Sequence, residues 1–148
     1  MLRAAQVSSN ANALAEYDLL AVQPVDAASF SHACLSLSTP SPTGIDIITI
    51  DLATSARLPF QLKRATVLKA VTDGVVFEVC YGIAMRSSTT GQVPKDARRN
   101  VLAGARELIR ITGGKGVILS SNVAKCLEMR APHDLINLCV FALALNRG

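Results

Sequence analysis

Cations at helical spacing are the first chemistry this sequence offers. Lys95, Arg99, Arg106 and Arg110 recur so that, at about 100° per residue, they fall within one arc of about 60°. Arg98 stands beside Arg99. Such a stripe is placed to contact phosphates along an RNA backbone. The same spacing also suits a solvated helix face, partly offset by Asp96 and Glu107. A second group is Lys63-Arg64, which closes the apolar run Leu58-Pro59-Phe60-Gln61-Leu62. Arg86 ends the loop after Tyr81, and Ser120-Ser121 ends a later apolar run. On a parallel sheet these strand ends share one face, offering cations and hydroxyls suited to phosphate. Lys115, within Gly113-Gly114-Lys115-Gly116, reads as an exposed cation in a turn. That glycine run follows a helix and precedes a strand, the reverse of a phosphate-binding P-loop.

The groups that would serve protein-based catalysis are sparse. Glu78 lies mid-strand between Phe77 and Val79, where a buried carboxylate must be paired or protonated. Lys63 could pair with it inside a barrel or contact phosphate instead, and spacing does not choose. A structural ion pair suits Glu78 better than a general acid, because no partner stands at matching spacing. His32 and His133 are the two histidines, and no HxH, HExxH or GxSxG motif occurs. No protein-held metal and no catalytic residue is therefore expected. Cys34, Cys80, Cys126 and Cys139 are widely spaced, with no CxxC pair. They read as free thiols in a reducing compartment.

The elements that must hold these side chains follow from periodicity. Leu19–Val22 reads as a short strand, and Asp26 caps a helix to about Ser36 with Phe30, Cys34 and Leu37 on one side. Ser38–Gly44 is a loop and Ile45–Ile50 a strand. Arg57–Leu62 reads as another strand, followed by a helix from Ala65 to Thr72 that Gly74 stops. Val75–Tyr81 is a strand, Lys95–Ile111 an amphipathic helix, and Val117–Ser120 the last strand. Pro132 opens a terminal helix reaching about Leu145. In the long helix Ala97, Val101, Ala105, Leu108, Ile109 and Thr112 form the apolar stripe.

Strands alternating with helices, mostly without polar alternation, predict an α/β fold with a parallel sheet. Five strands are expected, short of the eight that close a barrel. The 148 residues suit a single domain, residues 1–148, with an aliphatic core because Trp is absent. Net charge is +4, but residues 1–56 sum to −4 and residues 57–148 to +8. That asymmetry suggests a polyanion facing the later part. No secretory leader is read at the N-terminus. The most apolar run, Leu135–Leu145, is shorter than the ~20 residues of a membrane span. The chain is expected to be soluble and intracellular, with no membrane partner.

Several stretches in order carry a family resemblance. They are Tyr17-Asp18-Leu19-Leu20-Ala21-Val22, then Asp46-Ile47-Ile48, then Leu58-Pro59-Phe60 with Lys63-Arg64. Phe77-Glu78 with Tyr81, Arg98-Arg99 and Gly114-Lys115 before Val117-Ile118-Leu119-Ser120-Ser121 follow, and Glu128, Arg130, Pro132, Asp134 and Asn137 close the pattern. This order resembles the thirty-kilodalton protein subunit family shared by eukaryotic RNase P and RNase MRP. Ser87, Ala131 and His133 depart from that pattern, and Thr89–Asp96 looks expanded. The resemblance implies a PHP-like TIM-barrel fold, present here in part because the family's opening strands have no counterpart. It implies a non-catalytic subunit that binds the RNase P/MRP RNA and other protein subunits, including a small partner protein. The assembly removes 5′ leaders from precursor tRNA and processes precursor rRNA, and the RNA is the catalyst. Magnesium ions are expected on the RNA component, and the location implied is the nucleus, within it the nucleolus. The RNA-contacting set expected is Lys63, Arg64, Arg86, Arg98, Arg99, Arg106, Arg110 and Lys115. The competing expectation is a TIM-barrel lyase or aldolase-like enzyme using Lys63 and Glu78. An inert truncated product is a third.

Overall fold

Strand order decides between the two common parallel-sheet architectures. The computed structural model describes residues 11–41, 44–58, 60–85, 95–123 and 125–142. Among them are β1 (Ala21–Val22), β2 (Ile47–Thr49), β3 (Val76–Cys80) and β4 (Val117–Ser120). They form one parallel sheet in the order β1-β2-β3-β4. A doubly wound sheet reverses its order at a switch point. Here each strand is laid beside the last, so right-handed crossovers place the helices on one face. That arrangement is an arc of a (β/α) barrel.

The register separates the two faces. Phe77 and Val79 are buried, whereas Val76, Glu78 and Cys80 are half-buried. Phe77 pairs with Ile48 and Val117, which places these side chains on the helix-covered face. Thr49, Glu78 and Ile118 share the opposite face, which in a closed barrel points to the interior. The fifth expected strand, Arg57–Leu62, is absent: the described residues of that stretch are irregular. Phe60 and Leu62 are nevertheless buried and Gln61 is exposed. The apolar alternation was therefore reporting burial, not ladder pairing.

The helices are α1 (Ala11–Leu14), α2 (Ala27–His32), α3 (Arg64–Thr72), α4 (Gly82–Met85), α5 (Ala97–Thr112) and α6 (Pro132–Asn137). Asp26 caps α2 as expected. The Ser29 N–H donates to Asp26 Oδ1 at 2.7 Å, and the Asp26 N–H donates to Ser29 Oγ at 3.2 Å. Hydrogen bonding to the Asp26 carboxyl from the Ser29 backbone, and next from the Ser29 side chain, holds it below its ordinary range. A π-helical turn, Ala33–Leu37, continues α2. The terminal helix starts at Pro132 as expected: α6 passes into a π-helical turn at Leu138–Ala142, and its expected end near Leu145 lies outside the described residues. Gly113, at φ 67°, adopts the left-handed conformation that ends α5.

The core lies between the sheet and α2, α3 and α5. All six residues of the expected α5 stripe are buried, and Phe77, Ile48, Leu108 and Val67 are fully so. Phe30 stacks on Phe60 with ring centroids 4.5 Å apart and lies 6.4 Å from Phe77. The aromatic trio thus ties α2 and the irregular 60s segment to β3. Cys34 is buried in the same cluster, and burial pushes its thiol up to about 12.

Gly82 marks the closest approach between connections. Its N–H donates to the Ser121 carbonyl at 2.9 Å. A Cβ there would stand 2.1 Å from that oxygen and 2.5 Å from Val123 Cγ1. Gly82→Ala must push the segments after β3 and β4 apart. We expect a loss of about 3 kcal/mol, read from urea denaturation; an unchanged midpoint would mean the two connections yield freely.

Candidate nucleic-acid interface

Three cations, Arg57, Arg64 and Arg110, gather beside the long helix, not at the strand ends. Lys63 and Arg64 end no strand. Lys63 is the N-cap of α3 and Arg64 its first residue, both exposed. This helix start has no side-chain cap and no acid in its first turn. Four N–H groups and the positive end of the helix dipole therefore face two cations. That local repulsion is relieved by an anion, and it costs folding energy without one.

Arg64 lines a cleft of about 850 Å³ between α5 and residues 56–58 and 60–64. Arg57 and Arg110 line it too, as does Glu107. Glu107 accepts two bonds from Arg110, from Nε at 2.9 Å and from Nη2 at 2.6 Å. That bidentate pair holds the Glu107 carboxyl below its ordinary range and fixes the guanidinium plane. Arg57 and Arg64 have no acidic partner among the described residues.

The cleft is built by local features of both walls. Gly104 lets the loop after β2 approach α5: a Cβ there would lie 2.8 Å from Leu52 Cδ2. Asn100 secures the same loop by donating from Nδ2 to the Ala53 carbonyl at 3.1 Å. Asp51 organises the turn itself. Its carboxylate, partly opposed by burial, is held low by bonds from Thr54 and the Ala53 and Thr54 backbone.

The remaining expected cations fall on several surfaces. Lys95 is exposed in the turn before α5, and Arg98, Arg99 and Arg106 are exposed on that helix. Arg99 pairs with Asp96 at 3.5 Å, and Arg106 also has a partner of its own. Arg98 lines a small apolar recess with Tyr81 and Leu138, away from the cleft. Lys115 precedes β4 and lies at the opposite end of that strand from Ser120. The cations therefore do not converge on the carboxyl ends of the strands. Ser120 instead donates to Cys80 Sγ at 3.4 Å. Arg86 lies outside the described residues.

Glu78 does not pair with Lys63. It accepts from the Thr49 hydroxyl, its neighbour across the β2–β3 ladder, on the face away from the helices. Lys63 stands exposed at the start of α3. The lysine–carboxylate site of a barrel lyase is thus not assembled. Among the described residues no group of three His, Cys, Asp or Glu side chains gathers as a cation site. No described helix is long and apolar enough to cross a membrane. Arg57, absent from the expected set, is the residue that sequence reasoning missed. Its only signal was position, at the start of the positively charged stretch.

Comparison with known proteins adds the family. The model for RNase P subunit p30 matches residues 3–147. This chain belongs to the RNase P subunit p30 family. The mouse protein named ribonuclease P protein subunit p30 is 36% identical over 133 residues, covering 89% of this chain and 44% of its own length. A fission yeast relative, named probable ribonuclease P protein subunit 3, is 33% identical over 130 residues, covering 88% of this chain and 49% of its own length. The budding yeast ribonuclease P/MRP protein subunit RPP1 is 31% identical over 114 residues, covering 77% of this chain and 34% of its own length. The chain spans less than half the length of these relatives. The residues matched include the cleft and all four described strands of the barrel arc.

Proposed function

We propose that this p30-family chain is a protein subunit of the RNase P/MRP ribonucleoprotein and binds its catalytic RNA. The assembly removes the 5′ leader of precursor tRNA and processes precursor rRNA, with the phosphodiester chemistry carried by RNA and its magnesium ions. The protein contributes phosphate contacts and position, not a catalytic group. Lys63, Arg64, Arg98, Arg99, Arg106, Arg110 and Lys115 make those contacts, with Arg86 from the segment outside the described residues. Arg57 joins them on its place in the cleft. Other RNase P/MRP proteins, including a small one, complete the complex, in the nucleus and nucleolus.

The observation that carries this reading is the cleft itself. Two arginines without acidic partners stand there beside an uncapped helix start, in a chain of a family named for RNase P. Phosphate satisfies both the charge and the orphan N–H groups.

The test is recovery of the tagged chain from nuclear extract at moderate salt. RNase P or MRP RNA should come with it, together with cleavage of precursor tRNA, and both should wash away as salt rises. Recovery of the folded protein free of those RNAs at low salt would reject the assignment.

A further inference from the structure

Both edges of the sheet are open among the described residues. β1 pairs only with β2, and β4 only with β3. The register fixes which groups face outward at the β1 edge. Ala21 stands opposite Ile47, and the Ile47 N–H donates to the Leu20 carbonyl at 3.1 Å. In a parallel ladder that pattern leaves the N–H and C=O of Ala21 pointing away from β2. Such an edge is a template for another strand.

Exposed apolar surface stands at the two edges and on one face. Ala21 shares the face away from the helices with Ile47 and is exposed, and Leu19 just before it is 66% exposed. Ile118, on that face of β4, is 38% exposed, whereas Ile48, Phe77 and Val79 on the helix-covered face are buried. The edges also differ in charge. Residues 11–56 hold no lysine or arginine, and Glu16 and Asp18 are exposed just before β1. Lys115 before β4 and Lys125 and Arg130 after it are exposed, with Glu128 half-buried between the last two. An acidic edge and a basic edge are complementary.

Strand count and order select the occupant. The common closed barrel has eight parallel strands, and this arc supplies four, laid in sequence. Two such arcs related by a twofold axis along the barrel bring each β4 beside the other copy's β1 and keep every strand parallel. That ring closes, whereas repeated translation would give an open filament. We propose that two copies of this chain associate in this way, as one eight-stranded barrel built from two halves. Each acidic β1 edge meets a basic β4 edge, and Leu19, Ala21 and Ile118 turn into the shared interior. β1 is short, so apolar burial and charge contribute more than its few backbone bonds. The α5 cleft lies on the helix side of the sheet, outside this contact.

Sedimentation equilibrium of the full chain, freed of nucleic acid, tests the pairing. Two 15.6 kDa chains per particle are expected, with a Kd of about 1–10 µM that weakens as salt rises. Ala21→Pro removes the outward N–H, a change that an edge strand tolerates. Leu19→Lys places a cation on an exposed position that the barrel would bury, and it decides the matter should Ala21→Pro unfold. Each folded variant should pair at least tenfold more weakly, with an unchanged circular dichroism spectrum. A single-chain mass up to about 100 µM, far above that Kd, overturns the proposal and gives the edges to a different protein. Folded variants that pair within twofold of wild type also overturn it, by placing the contact on another surface. Masses that grow without limit as concentration rises overturn the closed barrel in favour of open stacking.

Discussion

Phe77→Ala should cost about 3–5 kcal/mol, the largest stability loss expected from any single truncation in this chain. Phe77 is fully buried in β3, with β2 on one side and β4 on the other. Removing its ring leaves a cavity that two ladders and α5 resist collapsing into, so transfer and cavity terms add. Total stabilities of domains run only about 5–15 kcal/mol, so much of the folded population is at stake. The effect should reach the cleft, because Phe77 neighbours Phe30, and Phe30 stacks on Phe60. Urea denaturation should show a lower midpoint at unchanged slope. Phe77→Leu, which refills most of the volume, should recover more than half of the loss. A Phe77→Ala variant within about 1 kcal/mol of wild type would mean that β3 is not the centre of the core.

Where periodicity was long and unbroken, the sequence placed elements well. The α5 stripe is buried at every expected position, and β4 spans the expected Val117–Ser120. Gly74 and Gly113 end α3 and α5 through positive φ, the conformation that glycine alone adopts readily. The errors share a cause. Leu58, Phe60 and Leu62 alternate like a strand because they pack inward like one. Whether a backbone also joins a ladder depends on a neighbour that no local pattern reveals.

The same limit applied to the interface. Periodicity makes Lys63-Arg64 a strand end only if the stretch before it is a strand. Once that stretch is irregular, the pair becomes a helix start, and the cleft forms where the irregular chain leans on α5. Arg57 and Arg110 meet only through that tertiary contact. The ion pairs on α5, by contrast, were visible in spacing: Asp96 to Arg99 and Glu107 to Arg110 are three apart.

Those pairs set the second large prediction, which concerns RNA affinity and its salt dependence. A cation already facing a carboxylate adds little net charge, whereas Arg57 and Arg64 add theirs in full. Arg57→Ala with Arg64→Ala should therefore weaken binding to RNase P RNA about 10–100-fold near physiological salt. The slope of log K against log salt should fall by roughly 1.5, as expected for two lost phosphate contacts at about 0.7–0.9 each. Deleting an ion pair outside the proposed contacts, Lys69→Ala with Asp73→Ala, should leave the slope within about 0.3 of wild type. Filter binding across a salt series measures both variants, and circular dichroism checks that each is folded. Equal slopes for all three proteins would place the grip on RNA elsewhere in the chain. A fall confined to the Arg57/Arg64 variant locates it in the cleft that these two arginines line beside the start of α3.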